Sequence, residues 1–363
     1  MSETLAQRLP EAPEVAPIRG GERFDEPAVD GYLRARLPEL ADAPPLEVLQ
    51  FPGGHANLTY LLRFGERELV LRRPPLGPVA PGSHDMAREY KVLSGLEGHF
   101  DRKPRAWLLC EDPSLIGAVF LIMERMHGIV VRSQVPAQLD RHQDARRRMS
   151  FALVDAMVDL HDVDYRKAGL QGLGKPEGFA ERQVNGWKGR FDRAKHAENP
   201  LFDELHKRLL EKLPSAAGAG LVHNDLKLDN AMLDPEDPGR IVTFLDWDMT
   251  TLGDPLVDLG TLLGYWVQAD DPPERGATLS VTAQPGFPTR AEIAARYADR
   301  RRIPVETIPW YEAFAIWKTA VVVQQIYIRF VRGQTDDPRF ALLEKRIPVL
   351  VEIADAVARE GGI

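Results

Sequence analysis

Hydrophobic and polar positions change rhythm along this chain. Residues 46–51 and 58–64 are dense in apolar and aromatic side chains and predict two strands, parted by Pro52-Gly53-Gly54. Gly65-Glu66 predicts a tight turn into a third strand over 68–72, so the three form a meander with a glycine-rich first hairpin. Residues 86–96 put Met86, Tyr90, Leu93 and Leu96 at helical spacing, and the unbroken apolar run 118–123 predicts a buried strand. Past Gly128 the period lengthens. Residues 145–161 align Met149, Leu153, Ala156, Met157 and Leu160, and 201–213, 310–332 and 347–359 also predict helices. Two strands, 221–223 and 241–246, interrupt them. A short helix is expected over 32–40, on Leu33, Leu37 and Leu40. The proline-rich residues 1–23 predict a mobile tail. The expected organisation is an α+β chain: tail 1–23, β-rich lobe 24–126, helical lobe 127–363.

Composition narrows the function. The 363 residues are 44% hydrophobic and 28% charged, which suits a packed globular chain rather than a disordered one. Lys and Arg number 46 against 54 Asp and Glu, a net charge of −8, the wrong sign for a nucleic-acid partner. One cysteine, Cys110, forms no internal disulfide and no zinc cluster and suits a reducing compartment. No run of 18 apolar residues predicts a membrane span, and residues 1–17 carry no apolar segment of a secretory leader. A cytoplasmic location and no membrane partner are expected.

The chemistry concentrates in His223-Asn224-Asp225-Leu226-Lys227-Leu228-Asp229-Asn230, followed sixteen residues later by Asp246-Trp247-Asp248 at a strand end. Phosphoryl transfer needs one carboxylate at the attacking hydroxyl, oxygen ligands for magnesium, a turn over the phosphates and a cation to neutralise them. Asp225 is the candidate catalytic carboxylate, and Asn230 and Asp246 are the candidate metal ligands. His99 and His142 also begin His-x-Asp, yet neither is completed by an Asn. Gly53 and Gly54 are the candidate phosphate-covering turn. The period of two on the third strand puts Arg72, not Arg73, on the face of Val70, where it serves as the phosphate cation, with Glu89 its carboxylate partner. Glu124 to Met126 follows the last apolar strand before the helical half and offers backbone groups to an adenine ring. His223 supports the loop, and Asp258 buttresses it by hydrogen bonds. No Gly-Lys-Ser/Thr, Gly-x-Gly-x-x-Gly or Gly-x-Ser-x-Gly sequence supports a P-loop, Rossmann or hydrolase reading.

The run from His223 through Asp225, Asn230 and Asp246-Trp247-Asp248 to Gly253-Asp254-Pro255-Leu256-Val257-Asp258-Leu259 resembles the aminoglycoside phosphotransferase and choline kinase superfamily. Phe51–Tyr60, Leu69–Pro75, Asp85–Tyr90, Arg182-Gln183-Val184 with Trp187, and Gln324–Arg329 with Gly333 are similar to the phosphotransferases related to the kinase domain fused to certain acyl-CoA dehydrogenases. The resemblance implies a protein-kinase-like fold of two lobes and Mg2+ with ATP as cofactors. It implies Asp225 as base, Asn230 and Asp246 on magnesium, Arg72 and Glu89 at the phosphates, and the backbone of Glu124 and Met126 at adenine. Asn224 departs from the family's glycine, and Asp248 from its glutamate.

For the acceptor, the subgroup suggests a hydroxylated acid or its CoA thioester. The basic stretch 182–195 agrees, and Arg182, Trp187, Arg190 and, on the long helix, Arg329 are the candidate substrate contacts. Three other readings share parts of the pattern: a protein kinase, an antibiotic kinase and a nucleotide-binding pseudokinase. The absence of Asp-Phe-Gly and Ala-Pro-Glu sequences weighs against the first, and the intact Asp225, Asn230 and Asp246 against the last.

Overall fold

The computed structural model describes residues 14–52, 57–76, 84–276, 280–335 and 338–363, and within them the two rhythms become two units. The first holds residues up to Ser94 together with Pro104–Arg125. Its helix α1 (Glu26–Arg34) starts where Asp25 Oδ1 accepts from Ala28 N–H at 2.9 Å, with Pro27 in the first turn. The helix expected over 32–40 is corrected: it begins earlier because of this cap, and ahead of Pro38 the backbone leaves the helix for a short 3-10 turn. Leu33, Leu37 and Leu40 are buried all the same.

Five antiparallel strands follow: β1 (Glu47–Gln50), β2 (Leu58–Phe64), β3 (Arg67–Arg73), β4 (Ala106–Cys110) and β5 (Phe120–Glu124), in the order β1-β2-β3-β5-β4. Tyr60, Leu62, Leu69, Leu71 and Ile122 share one apolar cluster with Leu33 and Leu40. Helix α2 (Met86–Gly95) lies between β3 and β4 in sequence. Residues 14–22, read as tail, belong to this unit, because they have partners in its sheet. Ala16 and Gln50 exchange backbone hydrogen bonds of 2.8 Å, Ile18 is buried, and the Glu22 carbonyl accepts from Tyr60 Oη and Arg73 Nη2.

The second unit holds Gly95–Lys103 and Met126–Ile363. Residues 95–103, expected with the strands, are corrected to this unit. Phe100 stacks on Phe244 and meets Trp247 edge-on, and Phe244 N–H donates to Arg102 O. Its helices are α3 (Ala137–Asp140), α4 (Ala145–His161), α5 (Phe179–Ala194), α6 (Pro200–Glu211), α7 (Leu256–Tyr265), α8 (Arg290–Arg301), α9 (Ile308–Val331) and α10 (Leu343–Glu360). Short strands carry the loops between them: β6 (Ile129–Val130), β8 (Ala231–Asp234) and β9 (Asp237–Phe244) form one sheet, β7 (Gly220–Val222) and β10 (Thr251–Gly253) another. Among the described residues no helix is long and apolar enough to cross a membrane.

Candidate active site

The segment 223–230 leaves β7 and enters β8, and α7 holds its start. Asp258, buried in the first turn of α7, accepts from His223 N–H at 2.7 Å on Oδ2 and from Asn224 N–H at 2.6 Å on Oδ1. His161 Nε2 lies 3.1 Å from Asp258 Oδ2, and its Nδ1 lies 2.8 Å from Tyr297 Oη. Two backbone N–H groups of a sharp turn are thus satisfied by one carboxylate. The His223 imidazole sits 2.9 Å from Leu245 O through Nε2, a contact that requires the proton on that nitrogen, and this ties the loop to the end of β9. Asn224 has φ 71°, in the left-handed region. That explains the departure from glycine: asparagine is among the few side chains that tolerate this conformation, and here its Nδ2 also donates to Met249 O at 2.9 Å.

The loop brings its chemistry together. Asn230 Nδ2 donates to Asp225 Oδ2 at 2.7 Å and to Asp225 O at 2.8 Å. Lys227 Nζ reaches both carboxylate oxygens of Asp225, at 3.1 and 3.0 Å, and lies 4.9 Å from the centre of the Tyr265 ring. Half-buried against Asp225, Lys227 is held above the ordinary lysine range, the attraction outweighing desolvation. Desolvation pushes the neighbouring Asp229 carboxyl up. Leu245 N–H donates to Asn230 O at 2.8 Å, which sets Asn230 beside the strand that ends at Asp246. Asp246 itself has φ 66°, a conformation that costs a non-glycine residue free energy and is found where function demands it.

These residues fit a magnesium ion shared with a nucleotide. The Asn230 amide spends its nitrogen on Asp225, so its oxygen is the atom left for a cation. Among the described residues no cluster of three or more His, Cys, Asp or Glu could hold a metal. Magnesium does not require one: it binds through one or two protein oxygens and takes the rest from phosphates and water.

In the first unit Arg72 Nη1 donates to Glu89 Oε1 at 2.5 Å, with the two side chains only 9% and 1% exposed. The register is as the period of two requires: Leu69 and Leu71 enter the apolar cluster, and Arg73 turns the same way to bind Ile116 O, Glu22 O and Tyr60 Oη. Glu124 ends β5. Its N–H donates to Arg105 O at 2.8 Å and its carboxylate accepts from Arg105 N–H. Met126 opens the second unit. Gly53 and Gly54 lie outside the described residues.

The phosphotransferase enzyme family model matches residues 47–294, a span that contains Arg72, Glu89, the loop and Asp246. The chain belongs to the phosphotransferase enzyme family. Its similarity to curated relatives covers nearly all of it: 30% identity over 96% of the chain with acyl-CoA dehydrogenase family member 10 of Mus musculus, and 31% over 94% with member 11 of Gallus gallus. The chain spans only 33% and 44% of those two relatives. Among solved structures, a Ralstonia eutropha protein described as a candidate aminoglycoside phosphotransferase is 29% identical, with TM-score 0.77 over 93% of this chain and 99% of that one. The choline kinase of Cryptosporidium parvum shares the fold at 12% identity, TM-score 0.64, over 93% and 97% of the two chains. The fold of this phosphotransferase is therefore protein-kinase-like, with a small antiparallel sheet and a large helical part.

Of the four residues expected to contact the acceptor, Arg182, Trp187 and Arg190 lie on α5 and Arg329 on α9. Arg182 is exposed and turned back to donate to Glu177 O and Lys175 O of its own loop. Arg329 is exposed near the end of α9. Two of the five basic side chains in the stretch 182–195 are neutralised locally: Lys188 by Asp192 and Asp203, Lys195 by Glu198. Trp187 is buried, and the Arg190 guanidinium lies 4.2 Å from its ring centre. Sequence reasoning missed Lys318, on α9 about eleven residues, or roughly 16 Å, before Arg329. Its Nζ lies 5.3 Å from the same Trp187 ring and donates to Asn224 O at 3.4 Å. The signal was available: a lysine inside an apolar helix is exceptional unless something pairs with it.

Proposed function

We propose that this chain is a small-molecule kinase that moves the γ-phosphoryl group of ATP to an alcohol of a hydroxylated acid or its CoA thioester. The observation that carries the reading is the Asp225 carboxylate, fixed by Asn230 and Lys227 on a loop anchored at Asp258. When bound, Mg·ATP supplies the phosphoryl group and the cation charge that offsets its negative oxygens. Asp225 orients the acceptor hydroxyl and accepts its proton at Oδ. Asn230 and Asp246 would hold the metal. Arg72, oriented by Glu89, would take the phosphates with Gly53 and Gly54, and the backbone of Glu124 and Met126 would take the adenine.

The names of the curated relatives support the acceptor class, since a chain joined to acyl-CoA chemistry meets hydroxylated acyl groups. An aminoglycoside acceptor is less well supported, because a polycation requires acidic walls and the acceptor side here carries Arg190 and Lys318. The test is ADP release from Mg·ATP over hydroxy acids, hydroxyacyl-CoAs, amino alcohols and aminoglycosides. Asp246→Ala should lose turnover and the magnesium dependence of nucleotide binding together. An Asp246→Ala protein with full turnover removes the metal assignment, and an aminoglycoside as best acceptor removes the substrate class.

A further inference from the structure

Three helices build a small platform beside the loop. Phe191 of α5 stacks on Phe202 of α6 with ring centres 3.7 Å apart, and Phe202 stacks on Trp317 of α9 at 4.6 Å. Gln324 Nε2 donates to Ala194 O at 2.9 Å and Trp317 Nε1 to Phe202 O at 3.3 Å, so α9 is pinned to α5 and α6. This stack fixes Trp187, one turn before Phe191, and Lys318, next to Trp317. The Trp187 indole N–H is taken by Gln183 Oε1, which leaves the ring face as the working surface. Arg190 and Lys318 both approach it, at 4.2 and 5.3 Å from the ring centre.

We infer that Arg190 and Lys318, set against Trp187, bind a carboxylate of the acceptor and so make this kinase selective for free hydroxy acids. The inference rests on the kinase reading above and narrows it. Among the described residues no carboxylate pairs with either cation, whereas Lys188, Lys195 and Lys227 each have an acidic partner. Among the described residues Lys318 donates to one neutral acceptor, the Asn224 carbonyl, and desolvation lowers its proton affinity below that of an ordinary lysine. A partly buried cation of this kind gains from an added anion, because part of the cost of removing it from water has already been met. The nearby carboxylates do not cancel it: Asp225 has Lys227 on both oxygens, and Asp258 is taken by two N–H groups and His161. Place decides the kind of anion. Lys318 binds the carbonyl of the residue before Asp225, so the anion must lie close to the reacting hydroxyl. The carboxylate of a hydroxy acid meets that condition, whereas the phosphates of a CoA ester are many bonds away from the acyl group.

The test is calorimetric titration of the full chain with 2-, 3-, 4- and 5-hydroxyhexanoate, their primary amides, 3-hydroxyhexanoyl-CoA and choline. At least one acid should bind at least about tenfold more tightly than its amide. Lys318→Met and Arg190→Gln should each erase that preference by weakening acid binding more than amide binding, and Lys318→Arg should keep it. Arg190, accessible at the surface, answers the question if Lys318→Met fails to fold. Equal binding of acid and amide overturns the inference. So do tighter binding of choline or the CoA ester, binding of no acid, or an acid preference that survives both variants. An acid that binds selectively but is never phosphorylated would sustain this site and sink the kinase reading instead.

Discussion

At the scale of single residues, charge is controlled by position rather than by count. Lys227 and Lys318 both lie near Asp225. One is raised by direct contact with its carboxylate, whereas the other is lowered because burial outweighs the pull of Asp225 and Asp258, with Arg190 and Lys227 opposing protonation further. The difference predicts a pH profile. Hydroxy-acid binding requires Lys318 protonated, so affinity should hold through neutral pH and fall as pH rises through a lysine pKa below 10.5. Lys318→Arg should remove that alkaline limb, since arginine does not titrate there. Titrations of wild type and variant across pH 6 to about 10 decide it, and the same limb in both proteins would place the titrating group elsewhere. The loop chemistry was legible in the sequence because His223, Asp225 and Asn230 are close along the chain. Lys318 was not, because its partners Trp187 and Asn224 are brought to it by helix packing alone. Arg182 read as a substrate contact by type, and only its neighbours show that it closes its own loop.

At the scale of elements, close backbone approach fixes where the loop is held. Asp258 works only if α7 stands where its first turn meets 223 and 224, and α7 is set against α9 at Gly260. A side-chain carbon there would lie 2.3 Å from the Tyr311 carbonyl oxygen, which is backbone and cannot swing aside. Gly260→Ala should therefore destabilise the fold by about 1–3 kcal/mol and lower turnover through the displaced loop. Thermal unfolding and kcat measured together check this, and an unchanged Tm would mean that α7 and α9 do not touch as described. The strands and long helices with strict periods were readable: 58–64, 86–96, 145–161. The strands β8 and β10 went unread because they are three or four residues long and take their partners from β9 and β7. The early helix was misplaced because Asp25 and Pro27 set its start more firmly than the spacing of leucines did.

At the scale of the molecule, a net charge of −8 says nothing of the site proposed for the acceptor, where two cations share one indole. The residues proposed for the nucleotide phosphates, Arg72 and Glu89, belong to one unit, and Asp225, Asn230 and Asp246 to the other. Phosphoryl transfer therefore tests the whole chain at once. The most direct measurement is transfer of label from γ-labelled ATP to hydroxyhexanoate by wild type and Asp225→Ala, with ATP affinity measured on both. The account predicts a phosphorylated acid from wild type, a loss of about 10²–10⁴-fold in the variant, and little change in ATP affinity. Equal transfer by Asp225→Ala, or no transfer by wild type to any hydroxylated acid while ATP is bound, would contradict it.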